Sequence, residues 1–479
     1  MRGIISGSGY IPHYRLDRSQ ISAFLGTGGG KGRRAVASFD EDSTTMGFEA
    51  ARRCLRSSTI VPESLLFATV SPAYADRTNA TAIHAALRLP ASAAAIDMNG
   101  SVRSTSGALR LSLNGHGVAL VVAADTRGGW PTSPDEASGG DSGAAVLVGS
   151  ESDGAVIAEH LGSATCTDEF VDRWRQPGET RSKLWEERFG EVKYLDCGQR
   201  AWADALLAAS LATTDVTTVA ISGLHSRAAK ALAGRLKVRV TLNDRSDVIG
   251  NSGAAQPLML LIDALEQAAP GDVIALVVLS DGAEVHLFRT TGALASWQGS
   301  SRRNGTGVAA QAGGGQDVPY GKFLSWRAAI SVEPPRRPEP ARASSSAADR
   351  NEAWKFGFVA SRDLATGQIS LPPSRMTEAG SSGGLEPVPM ADVLGTIATF
   401  TIDRLAYSPS PPIAFGIVDF DGGGRFPIEL TDVRPEDVKI GGRVEMTFRR
   451  LGSSDGIHNY FWKARPIPAP DTSVSEGAN

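Results

Sequence analysis

Five short, mainly apolar runs constrain this chain more than anything else in it: Leu65–Val70, Gly117–Ala124, Ala144–Val148, Thr218–Gly223 and Val273–Leu279. None alternates apolar with polar residues, as a half-exposed strand would. Runs of this length and composition fit strands buried on both faces of a largely parallel sheet. Helical patterns lie between them. Thr44–Leu55 follows the acids Asp40-Glu41-Asp42 and ends in bases, the order a helix dipole favours. Ser226–Leu236 and Met259–Ala268 have helical spacing, and Pro270-Gly271-Asp272 closes the second. Gly3–Gly7 begins like a strand and is expected to turn at Ser8-Gly9. The pattern occurs twice, over 1–155 and over 156–330, and predicts a duplicated α/β fold with a site between its halves. The 53 glycines suit helices packed close to strands.

The character of the chain then changes. Residues 331–352 contain Pro334-Pro335-Arg336-Arg337-Pro338-Glu339-Pro340 and a Ser/Ala-rich stretch, an extended linker by composition. Residues 391–466 break into short alternating strands, such as Thr396–Ile402 and Ile413–Val418, with Gly and Pro turns. That is the pattern of a small all-β barrel. The polar tail 467–479 is expected to be disordered. A chain of 479 residues should hold roughly two to four domains.

A formal charge of -4 argues against non-specific binding to nucleic acid or an anionic membrane. No apolar run is long enough to span a bilayer, and the N-terminus lacks a signal-peptide pattern. Cys54, Cys166 and Cys197 offer neither a disulfide framework nor a metal spacing. The expectation is a cytoplasmic protein.

One segment carries chemical information. Ala95-Ile96-Asp97-Met98-Asn99-Gly100-Ser101-Val102-Arg103-Ser104-Thr105-Ser106-Gly107-Ala108-Leu109 resembles the nucleophile segment of 3-hydroxy-3-methylglutaryl-CoA (HMG-CoA) synthases and ketoacyl synthase III enzymes of the thiolase superfamily. Counting from Asp97 forward and from Ala108-Leu109 back puts Val102 where those enzymes have cysteine, and valine cannot form a thioester. Other stretches agree in order. Phe39-Asp40-Glu41-Asp42 with Glu49-Ala50-Ala51-Arg52 resembles the archaeal-type synthases, and Val122–Arg127, Gly140–Val148, Gly250–Ala255, Gly271–Ile274 and Ser280-Asp281-Gly282-Ala283 resemble segments of the HMG-CoA synthase branch. Aligned on Tyr74-Ala75, the synthase glutamate falls at Val70. The C-terminal part is similar to acyl-CoA-associated OB-fold proteins through Gly395–Phe400 and Asp432–Val444. These usually begin with a zinc ribbon, which the resemblance places over 353–390. Its ligand positions here are Asp363, Thr366, Thr377 and Gly380, so zinc, typically held by four Cys or His ligands, is expected to be absent.

The resemblance implies catalytic roles for His225 and Asn251, each able to donate to a thioester oxygen. The alternative is structural: His225 a packed histidine, Asn251 a helix N-cap. It implies Lys230 and Arg227 as binders of CoA phosphates, with Arg33-Arg34 as further candidates and a solvated helix face as the alternative. Arg103 is a candidate for a carboxylate or CoA group. Ser101, Ser104 and Cys197 are poor substitutes for the missing thiol without an adjacent base; Cys197 is expected just before a helix at Ala201–Leu211. His84, His116, His160 and His286 have no metal spacing. Gly28-Gly29-Gly30-Lys31-Gly32 lacks the Walker spacing, so nucleotide hydrolysis is rejected. No cofactor is expected beyond a CoA thioester as substrate or ligand. Two functions remain. One is C–C bond formation or cleavage on acyl-CoA without a cysteine acyl-enzyme. The other is a non-catalytic subunit that organises a thiolase partner. A homodimer is implied by the resemblance alone.

Overall fold

A computed structural model of the chain describes residues 1–467 except 57, 304, 334, 336 and 343, without the side chains of 301–303. The expected tail from 468 onward and parts of the linker lie outside the described residues. The chain divides into two compact units, Met1–Val332 and Glu333–Asn479.

The first unit is built on ten strands: β1 (Arg2–Tyr10), β2 (Ser64–Thr69), β3 (Ala94–Asn99), β4 (Ala119–Asp125), β5 (Ser142–Ser150), β6 (Ala158–Thr167), β7 (Thr218–Gly223), β8 (Val240–Thr241), β9 (Val273–Leu279) and β10 (Gly282–Thr290). Their order across the sheet is β8-β7-β9-β10-β6-β1-β5-β4-β2-β3. Outward from the middle, each half therefore repeats one order: first, fifth, fourth, second and third strand of that half. The duplication read from the apolar runs is this repeat. β4 and β9 are buried along their whole length, as unalternating runs require. The halves join through Gly3↔Glu159 and Ile4↔Ala158. A Cβ on Gly3 would lie 2.0 Å from the Ala158 carbonyl oxygen, so only glycine fits that seam.

Five helices bear on the site: α1 (Ser43–Leu55), α2 (Arg103–Asn114), α3 (Glu187–Ala208), α4 (Ser226–Leu236) and α5 (Gln256–Gln267). Asp42 begins α1 as the acids foretold. Its carboxylate accepts from Thr45 N at 2.9 Å, and the Thr45 hydroxyl accepts from Asp42 N at 2.9 Å. α2 and α5 occupy equivalent places in the two halves and share one hydrophobic core.

Two expectations need correction. β1 does not turn at Ser8-Gly9 but pairs with β5 as far as Tyr10↔Gly143. Gly9 is there because a Cβ would lie 2.7 Å from the Met259 sulfur on α5; it marks a close approach, not a turn. α3 starts at Glu187 instead of Ala201, which puts Cys197 mid-helix. Its Gly198 admits the Leu232 side chain, 2.7 Å from where a Cβ would stand. Glycine here serves packing, which a reading of glycine as a helix breaker misses.

In the second unit, β11 (Gly395–Asp403), β12 (Ile413–Phe420), β13 (Arg425–Leu430), β14 (Arg443–Ser454) and β15 (Ile457–Pro466) close into a barrel ordered β11-β12-β13-β15-β14. Ile397, Val418, Ile428, Met446, Phe448 and Trp462 fill it. A three-stranded sheet of Ile369–Ser370, Val359–Asp363 and Leu385–Pro389 precedes it. The short helices Ser345–Arg350 and Glu352–Lys355 stand where a wholly extended linker was expected.

His286 on β10 is fully buried. Its Nε2 meets the Ser106 hydroxyl at 3.1 Å, and its Nδ1 has no partner among the described residues. Burial, with help from His160 and Arg110, holds its pKa down at about 3. It is neutral when folded and takes up a proton below about 6.5 when unfolded, so stability must fall as pH drops from 6.5 towards 3. By linkage one such group is worth on the order of 2 kcal/mol by pH 5. Urea denaturation of His286→Leu should show a smaller loss of stability between pH 7 and pH 5 than the wild type. An unchanged difference would rule His286 out as the cause.

Candidate functional site

The frame around Val102 is assembled from both halves. β3 ends at Asn99, Gly100 turns at φ +126°, and Val102 immediately precedes α2. Asp97 holds this end in place. Its carboxylate accepts from Asn79 N at 2.7 Å and Ala80 N at 2.8 Å, at the start of the helix Ala80–Ala86. Val102 is 3% exposed and belongs to the hydrophobic core, with Met98 and Leu224 packed against that core. The Ser104 hydroxyl donates to the Asn99 carbonyl at 3.1 Å. Thr105 Oγ1 donates to Ala254 O at 2.6 Å and so ties α2 to the second half. Arg103 is not free for a ligand. Its guanidinium donates to the Asp281 carbonyl, to Thr165 Oγ1 at 2.6 Å and to Thr167 Oγ1 at 2.7 Å.

His225 stands one residue before α4 and caps it. Nδ1 accepts from Ala228 N at 3.1 Å, which places the ring proton on Nε2, and Nε2 donates to the Glu187 carbonyl at 2.8 Å. Both ring nitrogens are therefore committed to backbone. Asn251 is held at four points. Its N–H donates to Ser138 O at 2.8 Å, its C=O accepts from Gly140 N at 2.9 Å, Nδ2 donates to Gly223 O at 2.9 Å, and Oδ1 accepts from Gly253 N at 3.0 Å. One Nδ2 hydrogen is left over. The helix after Asn251 begins at Gln256, behind a single 3₁₀ turn at Gly253–Ala255. Gly250 allows the chain to reach this point, because a Cβ there would lie 2.2 Å from Gly139 O. The structure thus brings Asn251 against Gly223, two residues before His225. It turns the imidazole donor to the protein.

The cation candidates separate by burial. Lys230 is exposed on α4 and has no hydrogen bond or ion pair with a described residue. Arg227, on the same helix, faces Glu187 at 3.5 Å, both side chains being more than half exposed. Arg33 pairs with Asp317 at 2.7 Å. Arg34 is fully buried, its guanidinium bound to the Glu136 and Arg127 carbonyls and 3.5 Å from Asp141, so it holds the fold together and is not a phosphate ligand. The glycine loop has a packing reason too: a Cβ on Gly32 would lie 2.2 Å from Asp247 O. Cys197 is fully buried beside Cys166. Burial pushes its thiol up to about 12, which leaves almost no thiolate at neutral pH.

Sequence reasoning missed two features. The first is Asp125 at the end of β4. Its Oδ1 accepts from Thr69 Oγ1 at 2.9 Å, Val70 N at 2.7 Å and Ser71 Oγ at 3.0 Å, and its Oδ2 from Ala254 N at 2.7 Å. Burial pushes this carboxyl above its ordinary range, opposed first by neighbouring Arg127. The second is the segment 172–187, which reaches several parts of the site at once. Arg173 pairs with Asp135 through two bonds of 2.7 and 2.8 Å, and Arg175 donates to the Val70 carbonyl. Arg181 lies 3.9 Å from the centre of the Trp130 ring. Glu187 receives the His225 proton. The available signal was three arginines in Arg173-Trp174-Arg175 and Arg181, beside a strand end already marked as important.

Comparisons agree with this architecture. Residues 387–449 match the family described as ChsH2, C-terminal OB-fold domain. The hydroxymethylglutaryl-CoA synthase of Pyrococcus furiosus is 28% identical over 309 residues, which cover 60% of this chain and 85% of that protein. A crystal structure of HMG-CoA synthase complexed with CoA superposes with a TM-score of 0.57 at 18% identity, over 72% of this chain and 94% of that one. The 3-oxoacyl-(acyl carrier protein) synthase III of Pseudomonas aeruginosa gives 0.53 at 17%, over 60% and 98%. The first unit is similar in sequence to HMG-CoA synthases and shares the fold of these solved structures, and the second carries the OB-fold domain. No helix among the described residues is long and apolar enough to cross a membrane.

The segment ahead of the OB-fold barrel, expected as a degenerate zinc ribbon, is joined by a carboxylate. Among the described residues no group of three or more His, Cys, Asp or Glu could hold a metal. Asp363 is buried between the two turns that would carry the ligand pairs. Its Oδ1 accepts from Ala365 N at 2.8 Å and Thr366 N at 3.3 Å, and its Oδ2 from Glu378 N at 3.1 Å. One carboxylate thus joins turns that a metal would otherwise join. Those N–H groups, Ala365 first, hold its pKa below the usual carboxylate value. Its contribution is therefore complete above about pH 4 and is lost as pH falls through the lower folded value. In Asp363→Asn one acceptor becomes a donor facing N–H groups, so the OB-fold unit should melt at a lower temperature at pH 7. The wild-type melting temperature should not move with EDTA or added zinc. A zinc-dependent melting temperature would contradict the carboxylate cross-link.

Proposed function

We propose that this chain is an acyl-CoA-binding component of a system that makes or breaks C–C bonds on CoA thioesters, and that it works without a cysteine acyl-enzyme. The observation that carries this is Val102, a core residue at the N-terminal end of α2, where the resemblance to HMG-CoA synthases predicts cysteine. A thiolate is what lets such a frame hold an acyl group covalently. None replaces it: Ser104 is committed to Asn99 O, and Cys197 lies buried in α3.

Of the two forms this function can take, the geometry favours the partner subunit over the catalyst. An oxyanion site needs donors aimed at the substrate oxygen. The His225 Nε2 proton goes to Glu187 O, and only one Asn251 hydrogen remains. Fusion to an OB-fold unit supports the same form, since one chain keeps both modules at a high effective concentration. The enzymatic form is a retro-aldol or proton-transfer step that polarises a thioester carbonyl. It draws support from the retained Asn251 donor and requires His225 to leave Glu187. Exposed Lys230 and Arg227 are the residues we assign to CoA phosphates, and a homodimer, a thiolase partner and a cytoplasmic setting complete the proposal.

Intact-mass analysis after incubation with acetyl-CoA should show no covalent adduct, while calorimetry should show CoA binding that Lys230→Ala weakens. Acyl-CoA cleavage, assayed with and without a thiolase, should be absent without the thiolase and equal in wild type and His225→Ala. An adduct on Ser101 or Cys197 would overturn the cysteine-free reading. Thiolase-independent cleavage lost in His225→Ala would establish the catalyst form.

A further inference from the structure

Arg127 is a buried cation whose guanidinium the protein does not use. The residue is 9% exposed. Its main chain is occupied, N–H to Asp141 at 2.7 Å and C=O from Arg34 at 2.7 Å. The guanidinium makes no hydrogen bond and no ion pair with a described residue. It is also not among the side chains whose unpartnered donors are sealed from solvent. The guanidinium nitrogens are therefore reachable from solvent although the side chain is mostly buried. Burial pulls this guanidinium below its ordinary value. The Asp125 carboxylate is the charge that acts on it most, without a hydrogen bond between them.

Its surroundings define the anion. The charged groups that act on it most are Asp125, Arg173, Asp135 and Arg175. Asp135 is already held by Arg173, and Asp125 by five surrounding donor groups besides. Arg175 arrives over Val70, whose own N–H is bound to Asp125. Three cations against two carboxylates leave one positive charge. That balance suits a monoanion better than a dianionic phosphate, and a guanidinium fork matches a carboxylate in two parallel hydrogen bonds. The place lies beside Asn251: the Arg127 Cδ and the Asp125 Oδ2 stand 3.0 and 2.4 Å from where Gly253 would carry a Cβ, and the Gly253 N–H is bound to Asn251 Oδ1. Glycine at 253, with φ +58°, is what lets both side chains approach.

We propose that Arg127, with Arg175 at its exposed side, forms a carboxylate-binding subsite that receives a free carboxylate at the acyl end of a CoA thioester. The thioester part rests on the acyl-CoA reading above; the anion subsite does not. Succinyl-CoA and butyryl-CoA have acyl chains of equal length and differ in that carboxylate. By calorimetry succinyl-CoA should bind about tenfold more tightly, the scale of one charge-assisted pair. Arg127→Gln should abolish the difference while leaving butyryl-CoA and CoA unchanged. Arg175→Gln, a change at an exposed side chain that tests the same idea without disturbing the core, should reduce it. Equal binding of the two thioesters to the wild type would overturn the subsite and leave CoA binding intact. Should no CoA compound bind, the acyl-CoA reading fails, and the subsite is judged on free succinate. Succinate that raises the wild-type melting temperature but not that of Arg127→Gln upholds it, and no such shift overturns it. Inorganic phosphate stabilising as well as succinate would overturn the carboxylate assignment.

Discussion

The two halves of the first unit meet through backbone contacts too close for a side chain. Cβ atoms on Gly3, Gly140 and Gly250 would fall 2.0, 1.9 and 2.2 Å from the carbonyl oxygens of Ala158, Ile249 and Gly139. These three contacts place the end of β5's lead-in loop against Asn251, and Asn251 against β7. Its four hydrogen bonds then carry the geometry into the site. Substitution at any of these glycines would separate the halves before it altered any chemistry, because backbone oxygens cannot move aside as side-chain ends do.

Within that frame, the side chains singled out from the sequence mostly face the protein. Val102 belongs to the core, where it contributes apolar burial. The imidazole proton is tied to the start of α3. Positive charge gathers around Val70 and Asp125, brought by Arg127 from one loop and by Arg173 and Arg175 from the segment 172–187. A valine and an arginine have opposite relations to water, so the site is drier at α2 and more strongly charged at the ends of β2 and β4.

In the second unit a carboxylate joins two turns. A metal joins separate turns because its ligands come from both. The Asp363 carboxylate does so because each of its oxygens accepts from a different turn. Such a link needs no redox-sensitive thiols, at the cost of losing strength in acid.

The apolar runs predicted both the number of halves and their buried strands, because burial on two faces demands an unbroken run of nonpolar side chains. They predicted the barrel as well, through alternation and turns. Its neighbours alone assign Val102 to the cysteine position, and the structure shows it as a core residue just before α2. Other features were not legible. Gly9 and Gly198 look like chain breakers in sequence, and only their distant neighbours Met259 and Leu232 reveal them as packing contacts. His225 and Asn251 carry the same donors in any fold, and what those donors face depends on Glu187 and Gly223, which are far away in sequence. Arg127 is one arginine among many until the chain returns at residues 173 and 175. Local order along the chain sets the pattern of strands and the identity of each side chain. Hydrogen-bond partners, burial and charge balance come from residues distant in the chain, and those pairings exist only once the sheet has closed around them.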